Sequence, residues 1–176
     1  MIYESSYWKE PLIKTAKWLV SVHLSERTQE RTFVRIEKEV FLSFYSIRKL
    51  IEALKVSDNI KIAKTMLEWH PNLNHVNHMN WDHIDLLYDL NTTNKEERDV
   101  LFLCNQFIHS FVFSIYEQEG RIGGFYVTSD YNKDRKLYRV SLEQIVVLFR
   151  LIGRNYPSQA YYSYSHDTNE YESHIE

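Results

Sequence analysis

The chain has 176 residues, a formal net charge of −3, and 44% hydrophobic and 26% charged residues. This length suits one domain, and no apolar run reaches the roughly 20 residues that a membrane-spanning helix needs. We therefore expect a soluble, cytoplasmic protein without a membrane partner. Residues 155–176 contain four acidic residues and neither Lys nor Arg, so residues 1–154 are almost neutral. A near-neutral body lacks the basic surface that binds duplex DNA.

Two amphipathic helices are predicted in the first third of the chain. The first covers about residues 6–24, with Pro11 in or near its first turn, where a proline is tolerated. The second covers about residues 28–54, because its apolar residues recur at intervals of three and four and therefore share one helix face. These residues are Phe33, Ile36, Val40, Phe44, Ile47, Ile51 and Leu54.

The middle of the chain is predicted to begin with a strand and a short helix. Apolar and polar residues alternate over residues 63–70, which is typical of a half-buried strand. A loop rich in Pro, Asn and His follows. Asn80 then suits the N-cap of a short helix that ends near Asn91.

A longer helix is predicted from Asn94 to about His109. Thr93 and Glu96 have the spacing of a capping box, in which each side chain bonds a free backbone N–H of the first turn. The second half of this helix is apolar on nearly every face and should be buried. We therefore expect His109 to be buried, neutral and hydrogen-bonded, so that its replacement by Ala costs about 1–3 kcal/mol.

The last third is predicted to contain three strands and a helix. Residues 111–116 and 122–128 alternate in hydrophobicity around a polar, Gly-containing turn, which indicates a β-hairpin. Residues 137–140 form a third strand. Ser141 and Gln144 then make a capping box that begins a helix ending near Gly153.

Together these elements predict an α+β fold: a helical bundle with a long second helix, packed on a small antiparallel sheet of three to four strands. Residues 1–155 would form this single domain. Residues 156–176 make a polar, Tyr-rich tail with almost no aliphatic residues, which we expect to be disordered in isolation.

Four histidines within fourteen residues suggest a metal site. His75, His78 and His83 are the candidate ligands, with His70 or Asp82 completing the shell, because imidazole and carboxylate groups bind zinc and nickel. Their spacing matches no known zinc pattern, and a solvated loop has the same composition. Apart from this metal, no cofactor is expected.

Signatures of other chemistry are missing. The chain has no phosphate-binding Gly-rich loop before a helix, no Gly-x-Ser-x-Gly elbow and no Cys-x-x-Cys pair. Its single cysteine, Cys104, lies in an apolar run and is expected to be a buried, inert thiol.

Asn105 and His109 are the candidate catalytic residues, because an imidazole one helical turn after an amide can serve as an acid or base. The Asn-x-x-x-His pattern resembles the motif of HEPN-type ribonucleases, in which an Arg precedes the polar residue and two motifs meet across a dimer. The resemblance implies metal-independent RNA cleavage. Cys104 stands at the Arg position here, so Arg98 or an Arg of a second subunit would have to supply the positive charge.

A wider resemblance involves residues 104–113, Ser129-Asp130 and residues 137–143. These segments are similar to small uncharacterised bacterial proteins of mobile gene cassettes and defence islands, which implies a setting and no particular chemistry. Thirteen Tyr, nine Phe and four Trp also favour a protein interface. The leading hypothesis is a non-catalytic binding or protein-interaction module of a mobile element, with a homodimer or another protein as partner and RNA only under the ribonuclease alternative.

Overall fold

A computed structural model describes residues 2–165 and 169–176, and residues 166–168 of the predicted tail lie outside the described part. The fold is α+β, as the sequence predicted. The helices of the described residues are α1 Ser6–Ser21, α2 Glu30–Glu52, α3 Asp58–Ile62, α4 Ile84–Leu87, α5 Val100–Ile108 and α6 Leu142–Arg154. The strands are β1 Lys64–Pro71, β2 Asn94–Asp99, β3 Ser110–Gln118, β4 Arg121–Ser129, β5 Lys136–Ser141, β6 Ala160–Ser165 and β7 Glu170–Ile175. No helix in this part of the chain has both the length and the apolar character needed to cross a membrane.

The main sheet has five antiparallel strands in the order β2-β1-β5-β4-β3, so the expected three to four strands were too few. The predicted hairpin is β3–β4. Its two turn residues, Glu119 and Gly120, both have positive φ angles, of 53° and 73°. This backbone matches the right-handed twist of the flanking strands, which is why short hairpins favour it.

A layer of helices covers one face of the sheet. The buried stripe of α2 includes Ile36, Val40, Phe44 and Ile47, as the periodicity predicted. The Phe44 ring stacks on Phe107 of α5 with 3.9 Å between ring centroids. The long helix therefore packs mainly on α1 and α5, and the sheet beneath it is covered chiefly by α5 and α6.

The opposite face of the sheet is covered by the segment between β1 and β2. Val76, Leu87 and Tyr88 of this segment pack on Val112 of β3 and Leu137 of β5 in a second, smaller apolar cluster. Alternate residues of a strand point to opposite faces, so the sheet is buried on both sides. The His-rich loop belongs to this cover.

The helix predicted from Asn94 to His109 is wrong in its first half. Residues 94–99 form the edge strand β2, whose side chains alternate between half-buried and exposed positions. The Thr93–Glu96 spacing therefore does not mark a capping box. Helix α5 begins after Asp99, whose side chain accepts a hydrogen bond from the backbone N–H of Phe102 at 2.7 Å. Pairing with β1 overrode the local helix signal, and the charged residues suit an exposed edge.

The capping box at the start of α6 is present as predicted. The side chain of Ser141 accepts from the backbone N–H of Gln144, and the Gln144 side chain accepts from the backbone N–H of Ser141.

The tail, expected to be disordered in isolation, forms the β6–β7 hairpin in this structure. Contacts of its last strand hold it to the body of the protein. Ile175 is buried in the space beside Lys9, its backbone N–H donates to Asp58 at 2.8 Å, and His174 lies 3.1 Å from the same carboxylate. The composition of the tail predicts disorder because Ile175 is almost its only aliphatic residue. This residue stabilises the hairpin only when the folded body provides a surface to bury it. The division into a domain and a tail stays a prediction.

Candidate functional site

An open cleft of about 840 Å³ lies beside the helix-covered face of the sheet, and we call it the cationic cleft. Helix α5 contributes Asn105 and Gln106 to its lining, and α2 contributes Arg48. The ends of β2 and β5 and the loop between β4 and β5 form the remaining walls. These walls supply Arg98, Arg135, Lys136, Ser129, Asp130, Tyr131, Asn132 and Tyr138.

His109 lies in the cationic cleft and is exposed, which corrects the expectation of a buried imidazole. Helix α5 ends at Ile108, and His109 is its C-cap residue, with φ −109° and ψ 27°. The backbone leaves the helix here, so the side chain points away from the apolar faces that surround the preceding turn. Its backbone is fixed: the N–H donates to the Asn105 carbonyl at 3.1 Å, and the carbonyl accepts from Asp130 at 3.0 Å.

The two carboxamides before His109 are held in a defined orientation. The Asn105 oxygen Oδ1 accepts a hydrogen bond from an Arg48 guanidinium nitrogen. The Gln106 oxygen Oε1 accepts from the backbone N–H of Ser129 at 3.0 Å. Guanidinium and backbone N–H groups can only donate, so each amide must place its oxygen toward them. Among the described residues neither amide NH₂ has an acceptor, and both groups are left as donors beside the cleft.

Gln106 is buried, with only 2% of its surface exposed. Its neighbour on the β4–β5 loop, Asn132, donates through Nδ2 to the same Oε1 at 3.4 Å. The Gln106 amide nitrogen is not among the buried, unpaired side-chain atoms of the described residues, so it reaches the space of the cleft. A water or a ligand oxygen there can accept a hydrogen bond from it.

Glu96 organises one wall of the cleft. It lies opposite Leu67 of β1, and because paired residues share a face, its carboxylate points to the helix-covered side. The carboxylate accepts from Lys136 at 2.6 Å, from Arg98 at 3.0 Å and from the Tyr138 hydroxyl at 2.7 Å. Burial alone would raise its pKa, but these three hydrogen bonds outweigh burial and lower the pKa to about 2. The ionised Glu96 also raises the pKa of Arg98.

The positive charge of the cleft is only partly compensated. Arg48 pairs with Glu52 through Nε at 2.6 Å, and Glu96 holds Arg98 and Lys136. Within the described residues Arg135 has no ion-pair partner, and its guanidinium lies 5.1 Å from the centroid of the Tyr131 ring. The cationic cleft thus presents hydrogen-bond donors, one uncompensated guanidinium and an exposed imidazole.

The predicted metal ligands are not gathered into one cluster. His75 contacts Asp134 at 3.0 Å, His78 packs against the Phe111 ring, and His83 lies 3.9 Å from Asp82. His70 is buried in β1, and its Nδ1 lies 3.0 Å from the carbonyl of Thr92. In the described part of the chain no three His, Cys, Asp or Glu side chains are placed to share a metal ion.

The sequence singled out Asn105, His109 and Arg98, and the structure brings all three to one cleft. Arg98 reaches it from strand β2, although the sequence placed it on the helix of His109. Arg48 was missed because it lies beside the buried stripe of α2 and looks like any exposed helix arginine. Cys104 is buried, as predicted, and this burial raises the pKa of its thiol to about 12.

The three segments that carried the wider resemblance each contribute to the lining of the cleft. Residues 104–113 supply Asn105, Gln106 and His109, residues 129–130 supply Ser129 and Asp130, and residues 137–143 supply Tyr138. Comparison with known proteins found no matching family model, curated protein or solved structure.

Proposed function

We propose that the cationic cleft binds a phosphate-bearing ligand and that the protein acts as a binding module. The fixed orientation of Asn105 and Gln106 carries this proposal. Both amides turn their NH₂ groups to a cleft that also contains Arg48, Arg135 and His109. The ionised oxygens of a phosphate group accept hydrogen bonds and carry negative charge, so they pair with several donors and cations at once.

Titration calorimetry with inorganic phosphate at low ionic strength tests the proposal. A hydrogen bond to a charged group contributes about 1.5–3 kcal/mol, so Arg48→Gln and Arg135→Gln should each weaken binding about 10- to 150-fold. Arg31→Gln is the matched control, since Arg31 is an exposed arginine of α2 outside the cleft. Absence of phosphate binding, or equal loss in the Arg31 variant, would contradict the proposal.

A second candidate is metal-independent RNA cleavage. The observation that favours it is the exposed His109 one turn after Asn105, with Arg48 contacting that Asn from another helix. A guanidinium there supplies the positive charge that Cys104 cannot. In this hypothesis His109 transfers the proton and Arg48 stabilises charge on the phosphorane.

RNA cleavage is tested by incubating the protein with a mixed RNA pool in the presence of EDTA. Cleavage that is lost in both His109→Ala and Arg48→Gln, but kept in Arg31→Gln, is the expected result. An intact pool, or cleavage that survives His109→Ala, removes this candidate.

The homodimer or other protein partner stays a prediction, as does the setting in a mobile element. Light scattering at micromolar concentration checks the dimer, and a strict monomer over the whole concentration range counts against it.

A further inference from the structure

The loop after β4 gives the cationic cleft a wall with a different chemistry from its floor. Ser129, Asp130, Tyr131 and Asn132 are consecutive, and the backbone N–H of Asn132 donates to the Ser129 carbonyl at 2.9 Å to close a turn. The Asp130 backbone is also bonded to the end of α5 through His109. This wall is therefore held in place against the end of α5, whose Asn105 and Gln106 form the floor of the cationic cleft.

Tyr131 is an aromatic ring placed in solvent at the cleft. Its surface is 77% exposed, although a Tyr ring usually buries much of its area. The Arg135 guanidinium lies over this ring, 5.1 Å from its centroid, so an aromatic group and a guanidinium lie together at the cleft. Nucleobases stack on surfaces of this kind.

Asp130 is the acidic side chain among the described lining residues, and it is out of place in a site for a bare anion. Its Oδ1 accepts from Lys133 at 2.7 Å, while the side chain stays 72% exposed. A carboxylate repels phosphate but accepts hydrogen bonds from neutral hydroxyls, as carboxylates do from ribose in dinucleotide sites. Asp130 therefore indicates a ligand with a hydroxyl-bearing part near its phosphate.

We propose that the ligand is a nucleoside 5′-monophosphate, either free or at the end of an RNA chain. Its phosphate would contact Asn105, Gln106 and the guanidinium groups of Arg48 and Arg135. Its ribose hydroxyls would contact Asp130, and its base would stack on Tyr131. The proposal rests on phosphate binding in the cationic cleft and names the class of ligand. The cleft volume of about 840 Å³ lies in the range of small-molecule sites.

Titration calorimetry should compare inorganic phosphate, ribose 5-phosphate, AMP and a 5′-phosphorylated RNA trinucleotide. Stacking of one base is expected to make AMP about 5- to 150-fold tighter than inorganic phosphate, with ribose 5-phosphate between them. The tighter of AMP and the trinucleotide identifies the source of the nucleotide, and either result supports the proposal.

Two variants separate the parts of the ligand. Tyr131→Ala should bring the ratio of the AMP affinity to the ribose 5-phosphate affinity close to one. This ratio cancels any change in phosphate affinity that the two ligands share, such as a displacement of Arg135 from the ring. Asp130→Asn should strengthen phosphate binding by removing a like charge, and should reduce the advantage of ribose 5-phosphate over phosphate. Tyr45→Ala is the matched control. Tyr45 is an exposed tyrosine of α2 outside the cleft, and the Lys49 ammonium lies 5.8 Å from the centroid of its ring.

Equal affinity for phosphate, AMP and the trinucleotide overturns the nucleotide assignment and leaves phosphate binding standing. So does a Tyr131→Ala variant that binds AMP as tightly as the wild type. If neither phosphate nor any nucleotide binds, both proposals fail together.

Discussion

Replacing Glu96 by Gln should lower stability and raise phosphate affinity at the same time. A pKa lowered from 4.5 to about 2 corresponds to about 3 kcal/mol, at about 1.4 kcal/mol per pH unit. The side chain keeps 19% of its surface exposed on an open cleft, and Gln can still accept from Tyr138. We therefore expect a loss of about 2 kcal/mol at pH 7.

The pH dependence identifies the cause of this loss. The pKa of Glu96 is lower in the folded state than in the unfolded state, so its contribution is complete well above pH 4.5 and falls as the pH decreases toward 2. More than half should be gone at pH 3. Urea unfolding is followed by Trp fluorescence at pH 7, 5, 4 and 3. The difference in the free energy of unfolding between wild type and Glu96→Gln should decrease as the pH falls.

Glu97→Gln is the matched control, because Glu97 is the exposed neighbour of Glu96 on β2. It should change the free energy of unfolding by less than about 0.5 kcal/mol. The same Glu96→Gln variant frees Lys136 and Arg98 from their internal anion, so it should bind phosphate several-fold more tightly. A gap that stays constant from pH 7 to pH 3, or an equal loss in Glu97→Gln, would refute the role assigned to Glu96.

Two further predictions concern stability. His109→Ala should leave the free energy of unfolding in urea within about 0.5 kcal/mol of wild type, because the imidazole is exposed, and a larger loss would contradict its placement. Lys9→Met should cost about 2–4 kcal/mol, because the Lys9 ammonium donates to two backbone carbonyls that follow α2 and α6 and only 1% of this residue is exposed. Burial lowers the pKa of Lys9 to about 8, so the folded state releases this proton at a lower pH than the unfolded state does. The free energy of unfolding of wild type should therefore rise relative to Lys9→Met between pH 8 and 10. Urea unfolding of wild type and Lys9→Met at pH 7, 8 and 10 measures the loss of stability and its pH dependence. If the stability of wild type relative to Lys9→Met falls as the pH rises, the lowered pKa of Lys9 is contradicted.

Sequence patterns predicted the elements whose own residues carry enough information. The buried stripe of α2 repeats from Ile36 to Ile51, over about four turns, and Ser141 with Gln144 satisfies the first turn of α6 without help from distant residues. The β3–β4 hairpin needs only a short turn that tolerates positive φ at Glu119 and Gly120. In each case the decisive contacts are local, so a single stretch of sequence determines them.

Residues 94–99 show where local information fails. Thr93 and Glu96 fit a helix start, and the polar run of residues 94–99 fits nearly two exposed helical turns. Six pairings with β1, a strand about 30 residues earlier, stabilise the extended form instead. Edge strands are short of apolar residues, so their sequences carry a weak strand signal.

The sequence by itself predicted the fold class, most element positions, the burial of Cys104, and Asn105 and His109 as candidate site residues. The tertiary structure decided that His109 is exposed, because the direction in which the chain leaves α5 depends on where β3 must pair. It also decided that Arg48, Arg98 and Arg135 converge, since they come from a helix, a strand and a loop that are far apart in the chain. These side chains come together only when the packed core holds their helix, strand and loop in place. Residue spacing within one segment therefore cannot predict that they meet.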